Sequence, residues 1–284
     1  MTSDRYTTLP GRAVLALSGE DVRPFLQGLI TNDIEQVSPD RAIYAALLTP
    51  QGKFLHDFFI AECGGRLLVD CAAARIGDLI KRLTMYRMRA KVMITDESDS
   101  WAVHALLPAD SANGAAGDAG DWLGGIAFTD PRHAALGRRT IVPTGAILEA
   151  GLTEAAANEY EALRISLGVP ADGQELIADK SMPLESGFDE LHGVAFDKGC
   201  FIGQEVTTRM KHRNLVKKRL FPVYLNGDAA PGSTVKCGDV EAGEIRSVLD
   251  GRAIALLRLD LVEKGGLTVN GVAVTPEKPD WAKF

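Results

Sequence analysis

Sulfur is scarce in this chain and badly spaced for holding metal. Four cysteines occur in 284 residues, Cys63, Cys71, Cys200 and Cys237, with no CxxC pair among them. Neither a zinc ribbon nor a four-cysteine cluster site fits that spacing, so the chain is not expected to hold an iron-sulfur cluster alone or to carry a metal site of its own. Five histidines show no HxxxH-type ligand spacing, and no nucleophile elbow of the serine hydrolases is present. No stretch approaches the roughly 20 apolar residues that span a bilayer, so no membrane partner is expected. Positive charge is also in deficit. A net charge of −7 argues against stable nucleic-acid binding as the main task, because whole-chain attraction to phosphate is absent. The opening MTSDRYTTLP has neither the basic-then-apolar order of a secretory signal nor an Arg-rich transit pattern, and a cytoplasmic residence is expected.

What is present reads as a globular chain of two or three small units: 46% hydrophobic and 24% charged residues. Arg12 to Leu17 (RAVLAL) is a strand feeding a helix with Val22, Phe25, Leu26 and Leu29 on one face. Pro24 requires that helix to begin near Gly19 or Asp21. Ile43 to Thr49 and Phe54 to Ile60 form a hairpin about Pro50-Gln51-Gly52. Arg66 to Cys71 is a strand; Ile76, Leu79, Ile80 and Leu83 stripe a helix; Val92 to Ile94 and Trp101 to Leu107 are later strands. The small, Gly-rich stretch 109–120 is expected to be a surface loop. Thr153 is expected to cap a helix carrying Ala156, Tyr160, Leu163 and Leu167, ended by Gly168 and Pro170. After Leu220 short extended runs punctuated by Gly, Asn and Asp predict a small β-barrel or sandwich, with a boundary near residue 216.

The densest chemical cluster is DKGCFIGQE, Asp197 to Glu205. Gly199 and Gly203 flank Cys200 and permit a tight bend or close approach of another molecule. The thiol precedes a helix-compatible run and neighbours Lys198, both of which favour a thiolate. Such a cysteine serves as nucleophile, redox thiol or metal ligand; the plainer alternative is a small buried hydrophobe between structural glycines. Cys63, Cys71 and Cys237 read as structural. The basic run Arg209, Lys211, His212, Arg213, Lys217, Lys218 and Arg219 is either a solvated face or an anion dock for a polyglutamate tail, a phosphate or RNA. In YRMRAKV, Arg87, Arg89 and Lys91 alternate along an expected strand and would share one face. Asp57, leaving the turn in TPQGKFLHDF, could accept hydrogen bonds from a pterin ring or simply solvate the hairpin.

KGCFIGQE, together with FLQGLITNDI, YAALLTPQGK, YRMRAKV and LRISLGVP in that order, resembles the YgfZ family over nearly the whole chain. Its wider relatives are the glycine-cleavage T-proteins and related tetrahydrofolate-dependent enzymes. The resemblance implies an α+β fold: a cloverleaf of α/β domains around a central channel that binds tetrahydrofolate or a derivative, completed by a C-terminal β-barrel. Its expected division is residues 1–215, two interleaved subdomains with the inner one at roughly 52–145, and the barrel at 216–284. It further implies a role in assembling or repairing iron-sulfur clusters in client enzymes, among them tRNA-thiolating radical enzymes. Cys200 would be the working thiol with Lys198 beside it, and Asp57 the pterin contact. Gln204, Glu205, Arg209 and Arg89 would be further candidate ligand contacts. The alternative is a folate-dependent aminomethyltransferase or demethylase of the T-protein type. Against it, LRISLG puts Ser166 where those enzymes carry an acidic, folate-contacting residue. A third reading, a folate-binding scaffold without chemistry, makes KGCFIGQE only a turn.

Overall fold

The computed structural model describes residues 5–107, 115–148, 152–156 and 158–284. They fall into two compact units. The first comprises Met1–Leu48, Leu55–Tyr160 and His192–Ile202, and the second Thr49–Phe54, Glu161–Leu191 and Gly203–Phe284.

The first unit holds strands β1 (Arg5–Thr8), β2 (Arg12–Ser18), β3 (Ile43–Leu48), β4 (Phe54–Cys63), β5 (Arg66–Ala72), β6 (Met93–Asp96), β7 (Trp101–Leu107), β8 (Ala119–Trp122), β9 (Gly125–Thr129), β10 (Arg138–Pro143) and β11 (Thr153–Glu154). They form two sheets, β3-β4-β5-β2-β6 and β11-β1-β7-β10-β9-β8. Helices α1 (Val22–Gln27) and α2 (Ile76–Arg87) lie in the connections of the first sheet. Their apolar stripe does what its spacing demands: Leu26, Leu79 and Leu83 are buried with Leu15, Leu17, Leu47, Ile60 and Val69 in one core. Pro24 sits in the first turn of α1, where a missing N–H costs nothing. The second sheet takes the chain on both sides of the first, so the inner segment runs from 12 to 96 and the expected 52–145 core of the interleaving is not the division seen.

The second unit contains the closed barrel β12-β15-β14-β13-β16-β17, built from β12 (Lys218–Leu225), β13 (Thr234–Cys237), β14 (Val240–Leu249), β15 (Arg252–Arg258), β16 (Leu267–Val269) and β17 (Val272–Pro276). Closure leaves no free sheet edge. Its interior is Phe221, Val223, Val235, Ile245, Ala255, Leu257 and their neighbours. Helix α3 (Glu159–Ser166) starts at the division between the units; α4 (Gln204–His212) and α5 (Leu259–Lys264) belong to the second. The barrel is joined in this unit by residues 49–54, 161–191 and 203–215, which the boundary at 216 had left with the N-terminal region.

Three local expectations are corrected. Arg87 ends α2, and Arg89 and Lys91 lie in the turn between α2 and β6, so YRMRAKV is a helix end and turn instead of a strand. Thr153 does not cap α3; it pairs with Arg5 in the parallel bridge of β11 to β1. Of the 109–120 stretch, residues 109–114 lie outside the described residues, while Ala119 and Gly120 begin β8.

Candidate functional site

Asp57 is on β4, a strand buried on both faces from residue 54 to 61, and it is 2% exposed. Tyr44, on the neighbouring strand β3 and fully buried, donates its hydroxyl to Asp57 Oδ2 at 2.8 Å. Burial first, and the adjacent Asp57 carboxylate second, push the Tyr44 hydroxyl well above its ordinary pKa, so it remains a donor. Asp57 Oδ1 is buried and has no hydrogen-bond partner among the described residues. An unpaired buried acceptor costs about 1–3 kcal/mol, which a donor entering the site recovers.

Around this carboxylate the first unit is braced by ion pairs. Asp70 receives Arg12 Nε at 2.6 Å and Arg139 Nη2 at 2.7 Å. Burial alone would raise the Asp70 pKa, but the two guanidiniums outweigh it and hold the carboxyl below its usual value. Arg132 pairs with Asp130 at 2.8 Å, and both Arg132 and Arg139 donate to Tyr160 Oη at 3.0 Å. The Arg139, Arg132 and Arg12 guanidinium carbons stand 4.2, 4.9 and 5.7 Å from the Phe59 ring centre. Cations over an aromatic face in a dry interior lock the ring and the strand that carries it. Asp57, two residues before Phe59, inherits that rigidity.

Cys200 has the opposite surroundings. It is exposed and in no disulfide. Gly199 and Gly203 both have positive φ, 100° and 83°, so this loop requires glycine at each flank. Lys198 anchors the loop. Its ammonium donates to the carbonyls of Gln27 at 2.7 Å and Ile30 at 2.6 Å, and Gln27 Nε2 returns a bond to Lys198 O at 3.3 Å. Gln27 O is a carbonyl left without a helical partner in the last turn of α1, where a cation is favoured, and Ile30 O lies three residues beyond it. Burial lowers the Lys198 pKa to about 8, with Asp33 opposing. Lys198 is therefore engaged with backbone carbonyls and holds the loop in place. The thiolate-pairing role read from adjacency gives way to an anchoring one.

Asn32 ties the two neighbourhoods together within the unit. Its Nδ2 donates to Tyr44 O and to His192 O, both at 2.8 Å, while Thr31 Oγ1 donates to Gly193 O at 2.6 Å. The segment FLQGLITND thus lies between the strand bearing Asp57's partner and the segment leading to Cys200. Sequence reasoning missed Tyr44, Asn32 and Asp70; a Tyr and an Asp on the two expected strands of one hairpin were the available signal.

The remaining candidates are dispersed. Arg89 is exposed on the turn after α2 in the first unit. Gln204 is half-buried, Glu205 and Arg209 are exposed, and all three are on α4 in the second unit. Arg209, Lys211 and His212 occupy the last turn of α4, where cations oppose the helix's negative end. Arg219 departs from the basic run: it is buried and paired with Glu190. Cys71 is buried and its thiol pushed up to about 12, as suits a structural residue. Among the described residues no group of three or more His, Cys, Asp or Glu could hold a metal ion.

Residues 217–284 match the family model described as the CAF17 C-terminal beta-barrel domain. The chain is 33% identical to the mitochondrial iron-sulfur cluster assembly factor IBA57 of Mus musculus, over 96% of this chain and 84% of that protein. It is likewise 33% identical to the Homo sapiens protein of the same name, with the same coverage. The crystal structure of the glycine cleavage system aminomethyltransferase T from Bartonella henselae superposes with a TM-score of 0.80 at 12% identity, covering 99% of this chain and 87% of that one. The chain thus has the T-protein fold with a C-terminal barrel. The resemblance to YgfZ holds at the level of iron-sulfur assembly factors built on that fold. With a third of its residues shared over nearly its full length, the chain belongs to the IBA57 family of iron-sulfur cluster assembly factors.

Proposed function

We propose that this chain is a tetrahydrofolate-binding factor of the YgfZ type that assists assembly or repair of iron-sulfur clusters in client enzymes, including tRNA-thiolating radical enzymes, with Cys200 as its working thiol. A cytoplasmic residence is part of the proposal. The observation that carries it is the pairing of an exposed cysteine on an anchored loop with a buried carboxylate whose Oδ1 lacks a partner, in one compact unit.

The residues fit the cofactor that the fold implies. Asp57 Oδ1 is an acceptor in want of a donor, and a pterin's amino and ring N–H groups are donors of the kind it takes. When bound, tetrahydrofolate supplies one-carbon chemistry. The chain's own contributions are separate. Tyr44 holds Oδ2 so that Oδ1 alone is left to bind; the Arg12, Arg132 and Arg139 set keeps the site's floor rigid and its charge balanced. Lys198 holds the loop so that the Cys200 thiol is presented to solvent, where it can ligate iron transiently, exchange with a persulfide or join one-carbon chemistry. Iron-sulfur clusters are cargo in this reading. The aminomethyltransferase alternative is disfavoured by Ser166, whose hydroxyl donates to Leu163 O at 2.8 Å inside α3, leaving no carboxylate at that point.

The test combines cells and purified protein. Cells lacking the gene are given wild type, Cys200→Ala or Asp57→Asn at matched levels, and a cluster-dependent tRNA-thiolating activity is measured. Wild type restores it and Cys200→Ala does not. Purified Asp57→Asn binds 5-formyltetrahydrofolate about tenfold more weakly, a loss of about 1.4 kcal/mol. Equal rescue by all three would remove both residues from their roles. No rescue even by wild type, with formaldehyde released from an aminomethyl donor, would favour the T-protein reading.

A further inference from the structure

The chain has six methionines, and three of them, Met85, Met88 and Met93, fall within nine residues of YRMRAKV and its flanks. They are 63%, 87% and 64% exposed. Met85 is in the last turns of α2, Met88 in the turn beyond it, and Met93 opens β6, an edge strand of its sheet. Isolated exposed apolar residues need no explanation; three such residues at the junction of one helix and one edge strand do.

The turn that carries Met88 is held, not loose. Ala90 N donates to Arg87 O at 2.8 Å and Val92 N to Ala90 O at 2.9 Å. Lys91 N donates to Asp21 Oδ2 at 2.7 Å, Lys91 Nζ reaches Glu20 Oε2 at 2.7 Å, and Arg87 Nη1 reaches Val92 O at 3.3 Å. Gly19, at φ 118°, lies so close to the Lys91 carbonyl that a Cβ would come within 2.0 Å of its oxygen. The opposing backbone thus leaves room only for glycine. Within this brace Met88 has φ 44° and ψ −104°, a conformation that non-glycine residues seldom adopt and that costs on the order of 1–3 kcal/mol. The fold therefore spends stability to hold an apolar side chain out in water, on a backbone already ordered for contact.

We infer that this turn is a docking knuckle for a protein partner with an apolar socket edged by acidic groups. Met88 is the knob, Met85 and Met93 are its shoulders, and Arg89 is the neighbouring cation. Arg89 is exposed and forms no ion pair among the described residues, whereas the local acids Glu20 and Asp21 are taken up by Lys91. The cation at the tip is thus free for an acid on the partner. Unbranched thioethers adapt to an irregular socket, and Met and Arg are enriched in protein interfaces. A protein is favoured over an anionic membrane because Lys91 is already paired with Glu20, which leaves Arg89 as a single unpaired cation at the tip where an anionic lipid surface calls for a cluster of Lys and Arg. The surface is read from exposed residues that neither Asp57 nor Cys200 needs.

A photo-crosslinking residue is placed at position 88 in the full chain in cells, and at Val240, exposed on the barrel, as the control. The protein joined at 88 is identified by mass, purified, and titrated against wild type, Met88→Leu, Met88→Glu and Arg89→Glu. A discrete adduct at 88 and not at 240 is expected. Met88→Leu should keep affinity within about threefold, while Met88→Glu and Arg89→Glu lose about tenfold or more at unchanged melting temperature. Equal affinity for all four proteins, or indistinguishable adducts at 88 and 240, would overturn the inference. So would Met88-dependent binding to phosphatidylcholine–phosphatidylglycerol vesicles without a protein adduct. Folate binding by the two Met88 variants separates the outcomes: it stays at the wild-type level if only docking is lost.

Discussion

Asp57 and Cys200 belong to one compact unit and are built in opposite ways. Asp57 is sunk among ion pairs and aromatic rings, with one oxygen satisfied and the other not. Cys200 is in the open, on a loop whose own side chain does no packing while its neighbour Lys198 makes the attachment. A residue that must hold something benefits from a rigid, dry floor, since a fixed acceptor loses little freedom on binding. A residue that must hand something over needs access, and its position must be secured by others. The difference makes stability and function separable: the floor carries folding energy and the thiol almost none.

The largest effect should come from breaking the floor. Asp70→Ala leaves Arg12 and Arg139 as uncompensated buried charges and should cost about 3–5 kcal/mol, read by urea unfolding. A loss under about 1 kcal/mol would mean that the ion pairs do not brace the site. Lys198→Met keeps the stem but strands the carbonyls of Gln27 and Ile30, for about 1–3 kcal/mol. The sharper readout is the alkylation rate of Cys200, which should rise as the loop loosens. His56, beside Asp57 and buried, has its pKa lowered by burial, with Asp78 opposing through a 2.8 Å contact. As pH falls below the ordinary histidine value of 6.5, the unfolded chain gains a proton that the native one refuses. Stability then declines by at most about 1.4 kcal/mol per pH unit, and His56→Asn should flatten that slope. Smallest of all, Cys200→Ala should change stability by less than about 0.5 kcal/mol while abolishing rescue. A larger loss would show the cysteine to be a packing residue.

Much of this was legible along the chain because it follows from local rules. Pro24 placed the start of α1 through its missing N–H, and the 3.6-residue stripe of α2 and the short punctuated runs of the barrel were read correctly. Failures came where tertiary contact overrode local pattern. Thr153 had the right chemistry for a cap, yet a strand partner at Arg5, distant in sequence, claimed its backbone. Arg87, Arg89 and Lys91 alternated like a strand, but α2 ran on through Arg87 and the Asp21 carboxylate captured the Lys91 backbone N–H. Lys198 was read beside Cys200 because it is near in sequence, whereas its ammonium found the carbonyls of Gln27 and Ile30, at and just beyond the end of α1.

By itself the sequence determined the barrel and the glycine-flanked cysteine, because each depends on residue type and short-range spacing, and the α+β class followed from the family resemblance. Only the tertiary structure decided that Asp57 is buried with one oxygen unpaired, that Lys198 anchors instead of activating, and that Met88 stands in water on a braced turn. Burial and partner choice depend on residues far apart along the chain, and no local pattern encodes which carbonyl, ring or carboxylate will arrive from elsewhere.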